Sequence, residues 1–126
     1  MTLLRKELDA GALRQRVIAN NIANVNIPRF KRSVVRFEES LQEALGKDTL
    51  PLLTTDPRHI GGAKPPDELR PEVERDEGTT MRADGNNVDI DQEMALLAAN
   101  TIMYNAAAQE LNERLALLSY VITGRR

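Results

Sequence analysis

The clearest pattern of apolar and polar positions lies at the C-terminal end of the chain. From Met94, steps of three and four give Met94, Leu97, Thr101, Tyr104, Ala108, Leu111, Leu115, Leu118 and Ile122. Only Thr101 interrupts the apolar series over four heptads, so the segment reads as a long helix with a coiled-coil seam. Asp89 or Asp91 can cap its start, where an acid suits the helix dipole. Gly124 can end it, with Arg125 and Arg126 complementing the negative end of the dipole. The helix is predicted over residues 91–123.

A second series opens the chain: Leu4, Leu8, Gly11, Gln15, Ile18, Ile22 and Val25, widened by Ala10, Ala12, Leu13 and Val17. It predicts an amphipathic helix within residues 1–24. Gly11 is a weak point, costing about 1 kcal/mol against Ala in a helix interior. Asn-rich sequence and Pro28 should end the helix near Asn24.

Residues 25–90 lack a sustained period. Phe37, Leu41, Ala44 and Leu45 share one face of a short helix that Gly46 can terminate. Pro51, Pro57, Pro65, Pro66 and Pro71 follow, with Gly61-Gly62 among them. Such a stretch excludes a long helix or a central strand and reads as a mobile surface segment. Residues 72–75 and 79–82 are candidate strands of a small hairpin around Gly78. The whole is predicted as one mainly α domain over residues 1–126. Its long terminal helices form a coiled-coil-like bundle around an irregular, Pro-rich middle.

The two long helices differ in length. About 48 Å of C-terminal helix faces only about 34 Å of N-terminal helix. Paired antiparallel, they leave part of the C-terminal seam uncovered. An isolated helix in water is marginal, so that seam calls for a second chain.

Composition sharpens this picture. Aromatics are 3% of the 126 residues, too few for a broad enzyme core and consistent with narrow helical seams. There is no cysteine, which removes disulfides, thiolate metal sites and a Cys nucleophile. No apolar run reaches the length of a membrane span, and the N-terminus lacks the apolar core of a secretory signal. Export, if it occurs, would use another route, without a cleaved signal peptide. Charge is uneven: residues 1–37 carry a balance of +6, residues 38–90 of −7. A basic segment can bind nucleic acid, but complementarity between segments or subunits explains the asymmetry more simply.

Candidate chemistry is sparse. Asp84-Gly85-Asn86-Asn87-Val88-Asp89-Ile90-Asp91 loosely resembles a calcium loop, yet Asp89 stands where that loop has glycine, and Ala95 where it has its final Glu. The segment reads better as a tight turn, with positive φ at Gly85 or Asn86, leading into the helix cap. Glu38 and Glu39 diverge on a helix and cannot share a substrate. His59, the only histidine, lacks a nucleophile beside it and reads as a packing residue. Arg29-Phe30-Lys31-Arg32 mixes basic and aromatic residues as nucleic-acid binders do, but four residues fit a surface turn or subunit contact better. No catalytic, cofactor or metal residue is assigned, and neither nucleic acid nor a small-molecule substrate is expected.

Asn20-Asn21-Ile22-Ala23-Asn24-Val25-Asn26-Ile27-Pro28-Arg29-Phe30-Lys31 resembles the signature of flagellar rod and hook proteins, written ANNIANxNTPGYK. Thr54-Thr55-Asp56-Pro57-Arg58-His59-Ile60 and the segment from Asp84 to Glu93 resemble stretches of the proximal rod proteins of that family, as do Tyr104-Asn105 and the heptads after them. Where the signature has Thr-Pro-Gly-Tyr, this chain has Ile27-Pro28-Arg29-Phe30. Arg29 counts against positive φ there, because an L side chain strains in left-handed geometry.

The resemblance implies a structural subunit of the basal body rod, the drive shaft that crosses the periplasm. It implies export by the flagellar type III apparatus. The partners it implies are further copies, other rod proteins and ring or rod-junction proteins. Assembly and signature residues would be Asn20, Asn21, Ile22, Asn24, Asn26, Pro28, Gly85, Asn86, Asn87, Asp89, Leu97, Tyr104, Leu111, Leu115, Leu118 and Ile122. A sibling rod subunit is the nearest alternative, disfavoured by the segment from Asp84. A soluble coiled-coil adaptor would show the heptads without the Asn-rich signature.

Overall fold

A computed structural model describes residues 2–46 and 69–124, and of residues 43–46 the backbone alone. His59, the stretch from Thr54 to Ile60, four of the five middle prolines, Arg125 and Arg126 lie outside the described residues. In chain order the elements are α1 (Thr2–Ala23), β1 (Ser33–Arg36), α2 (Glu38–Gly46), β2 (Glu72–Arg75) and α3 (Ile90–Thr123). The fold is mainly α, with long helices at both ends and a two-stranded antiparallel sheet between them.

α1 and α3 run antiparallel: Gly11 meets Asn100 and Tyr104, while Asn21 meets Glu93. At 1.5 Å per residue they span about 33 and about 51 Å. α3 therefore outruns its partner, and from residue 112 onward it is exposed throughout. Its start is capped by Asp89, whose Oδ1 accepts from the backbone N–H of Asp91 at 3.0 Å. Its end is capped by Gly124 in left-handed geometry, with its N–H on the Tyr120 carbonyl at 2.8 Å.

The inward face of α3 departs from the expected seam. Glu93, Leu97, Asn100, Tyr104, Ala107 and Leu111 face α1, whereas Met94 and Thr101 are exposed. The period is right, but at two steps the helix turns a neighbouring polar residue inward. Glu93 and Asn100 can do this because α1 offers each a hydrogen-bond partner. On α1, Gln15 likewise proves exposed and Asn21 is buried in place of the half-buried Ile22.

The sheet corrects the predicted hairpin. β2 is a strand, but it pairs with β1, from Ser33 against Arg75 to Arg36 against Glu72. Val34 and Val35 supply the β-branched residues that favour this pairing. Residues 79–82 form no strand; the N–H groups of Met81 and Arg82 donate to the carbonyl of Asn86. Under the sheet, Phe37 is fully buried with Ala10 and Leu69, and Leu41 packs alongside. Burying such a ring contributes about 1.5–3 kcal/mol. The carboxylates of Glu38 and Glu39 diverge as expected, to Arg14 and Arg36 respectively. Arg36 also pairs with Glu74, and the hydrogen bonds it donates to Glu39 and then Glu74 hold its pKa above an already high ordinary value.

Candidate functional site

After Ala23 the chain leaves α1 through consecutive turns. The N–H of Val25 bonds the carbonyl of Ile22, that of Ile27 bonds Asn24, and that of Phe30 bonds Ile27. This tight path points the carbonyls of Asn24, Val25 and Ile27 toward one spot. Asn86 fills it. Its Nδ2 donates to all three, at 3.2, 3.0 and 2.8 Å. Its Oδ1 accepts from the Val88 N–H at 2.7 Å, and the residue is fully buried. Only an amide offers donors and an acceptor on so short a stem; a carboxylate would set charge against three carbonyl oxygens.

The same joint holds Arg29. Its backbone N–H donates to the Asp84 carbonyl at 3.0 Å, and its φ is 61°. The expected loss of left-handed geometry at this position does not occur: the turn keeps its shape and Arg29 bears the strain. Gly85 lies opposite, at φ 83°. The Arg82 side chain closes the joint by donating to the Val25 carbonyl at 2.9 Å.

Two more asparagines tie this joint to the sheet. Asn87 accepts from the Arg32 N–H at 2.7 Å and donates to the Asp76 carbonyl at 2.8 Å and to Thr79 Oγ1 at 2.9 Å. Asn21 brackets Ser33, accepting from its N–H at 3.0 Å and donating to its carbonyl at 2.8 Å. The Asn21 amide also reaches Glu93 Oε2 at 3.1 Å. Arg32 Nη2 stands 3.2 Å from Glu93 Oε1, an ion-pair distance, although neither that oxygen nor Arg32 Nε is aligned for a hydrogen bond. A cavity of about 100 Å³ opens beside this pair, between α1, β1 and α3.

Farther along α3, Asn100 donates to the Gly11 carbonyl at 3.0 Å and accepts from Arg14 at 3.5 Å. A Cβ on Gly11 would stand 3.1 Å from the Tyr104 ring. The glycine that weakens α1 as an isolated helix is what lets the two helices approach here.

Of the residues singled out from sequence, Asn21, Asn86 and Asn87 converge, while Asn20 and Asn24 bond one another at the end of α1. Asn26 and Pro28 are exposed, Ile22 is half-buried, and Asp89 is the cap. Leu97, Tyr104 and Leu111 are half-buried on the inward face, whereas Leu115, Leu118 and Ile122 project beyond α1. Asn100 was not named from sequence, and Glu93, Arg32 and Gly11 were named only as the end of the Asp84 segment, as part of a basic-aromatic run and as a weak point of α1. The one signal for two of them is a seven-residue spacing from Asn86.

These amides bond backbone groups and neighbouring side chains, so the joint fixes geometry. Among the described residues, the end of α3 leaves a run of large apolar side chains exposed. Leu117 is 65% exposed, Val121 70% and Ile122 81%, and no charged residue lies between Arg114 and Arg125. No helix among the described residues is long and apolar enough to cross a membrane.

Residues 8–31 match the family described as flagella basal body rod protein. The chain is 41% identical to the flagellar basal body rod protein FlgB of Borreliella burgdorferi, over 78% of this chain and 76% of that one. It is 40% identical to FlgB of Borrelia hermsii, covering 82% and 80%. It is 34% identical to FlgB of Bacillus subtilis, covering 96% and 91%.

Proposed function

The chain belongs to the FlgB family of flagellar basal body rod proteins, and we propose that it joins the rod by packing the free end of α3 against neighbouring subunits. It is a structural subunit of that rod. One observation supports the packing mode: α3 continues past α1 with large apolar side chains exposed on several sides. A helix apolar around its circumference belongs inside a bundle, and among the described residues α1 is the one long helix packed against α3.

In this reading the neighbours are further copies and other rod proteins, with ring or rod-junction proteins at the base. The subunit reaches its place through the flagellar type III export apparatus, without a cleaved signal peptide, and transmits torque across the periplasm as part of the proximal drive shaft. Seam packing costs no cofactor and needs no reaction.

The experiment is complementation. A tagged copy would be expressed in cells of the source bacterium lacking their own gene for this chain, and basal bodies would be purified. Swimming should return, with the chain in the rod fraction. Full motility without the chain in purified basal bodies would refute the proposal.

A further inference from the structure

Three buried polar side chains stand seven residues apart: Asn86, Glu93 and Asn100, each no more than 3% exposed. Each is bonded to the N-terminal part of the chain. Asn86 holds the turn after α1, Glu93 holds Asn21 beside Arg32, and Asn100 holds the Gly11 carbonyl. The apolar residues of α3 share this period, with Leu97, Tyr104, Leu111 and Leu118 also seven apart.

A shared period leaves the register open as far as apolar packing goes. Displaced by seven residues, about 10.5 Å along its axis, α3 would set Leu111 in the place of Tyr104 and Leu118 in the place of Leu111. That register would draw Leu118 and its neighbours against α1 and hide apolar surface that the observed register leaves in water. It also moves Leu97 to the place of the exposed Ile90 and sets Arg114 in the place of Ala107, so apolar burial leaves the two pairings close. The polar groups oppose the displaced pairing. Ala107 would face the Gly11 carbonyl, and Asn100 would replace the carboxylate beside Arg32.

We propose that Asn86, Glu93 and Asn100 form a register lock that holds the last third of α3 clear of α1. Buried polar residues at single heptad positions select one register among near-equivalent apolar ones, at a cost in stability. The lock keeps the free end of α3 available for neighbouring chains. That last consequence rests on the rod reading; the lock itself does not.

The chain has no cysteine, so engineered pairs report register cleanly. Val17 and Leu96 line one cavity between α1 and α3, and a Val17→Cys, Leu96→Cys pair reports the observed register. A Val17→Cys, Met103→Cys pair reports the register displaced by seven. Each pair would be treated with a short bifunctional maleimide in the full chain at dilute, monomeric concentration. The parent should prefer the first link by at least about tenfold. Glu93→Leu with Asn100→Leu should bring the ratio near one, with helicity retained by circular dichroism. If that variant loses helicity, Asn100→Ala decides, with an expected drop of at least about threefold. A variant that keeps its helicity and the parental preference overturns the lock. Basal-body recovery tests the rod reading separately.

Discussion

Arg29 and Gly85 face each other with both backbones at positive φ, 61° and 83°. A Cβ on Gly85 would lie 3.7 Å from Arg29 Cγ and 3.8 Å from its Cα. The two positive-φ positions, strained at Arg29 and free of strain at Gly85, form one contact between the turn after α1 and the turn before α3. The bond from the Arg29 N–H to the Asp84 carbonyl fastens it. The contact joins the exit of α1 to the entry of α3, at the end opposite the free apolar tip.

Arg29→Gly should stabilise the chain. A left-handed L residue costs about 1–2 kcal/mol, while the added freedom of glycine in the unfolded chain returns about 0.4–1 kcal/mol. The net gain should be about 0.5–1 kcal/mol. Urea denaturation followed by circular dichroism measures it; a lower midpoint for Arg29→Gly would contradict the strain.

Gly85→Val should do the reverse and more. A β-branched residue at φ 83° is strained wherever it sits, even though its Cβ would meet Arg29 only in ordinary contact. The loss should be at least about 2 kcal/mol, with reduced rod incorporation in complemented cells. Unaltered stability and swimming would show that the turn can relax.

Asn86→Leu should cost about 2–4 kcal/mol, because it strips a buried donor from three carbonyls and an acceptor from Val88. Asn86→Asp should be no rescue, since its oxygens would face the same carbonyls. Thermal midpoints of the three proteins give the order, and an aspartate variant as stable as the parent would count against the donor role.

The ends of the chain were legible because caps and apolar period are local signals. Asp89, Gly124 and Gly85 stand where their chemistry places them, and α3 overhangs α1 as the helix lengths imply. Four features were not legible for a common reason. β2 pairs with β1 across most of the middle segment, a nonlocal partner that neither strand names. Glu93 and Asn100 turn inward because α1 carries partners for them, information held dozens of residues away. Gly11 reads as a flaw until Tyr104 lies across it. Arg29 keeps a glycine's geometry because Asn86 and Asp84 hold both sides of its turn.

Hydrogen exchange in the dilute chain should show a gradient along α3. Amides of residues 97–111, packed on α1, should be protected. Those of residues 112–123 should exchange at least about tenfold faster, since unsupported helix is marginal in water. Uniform protection to residue 123 would mean that the tip is already covered in the single chain.

Leu115→Asp separates folding from assembly. Leu115 is 49% exposed in the single chain, so the substitution should change monomer stability by no more than about 0.5 kcal/mol. Between subunits the same position would bury an unpaired carboxylate, which neighbouring apolar side chains cannot solvate. The variant should therefore fold and reach the export apparatus, yet fail to enter the rod, leaving cells without flagella. Glu113→Ala, exposed and on the same turn of α3, is the control and should swim normally. Lys31→Ala adds a second comparison, because Lys31 only bonds the exposed Thr79 carbonyl and Thr80. A nucleic-acid binder would be sensitive at Lys31 and indifferent at Leu115; a rod subunit should show the opposite order. Swimming assays, basal-body recovery and denaturation midpoints of the three variants give the answer. Normal flagella with Leu115→Asp would remove the free end of α3 from the assembly surface.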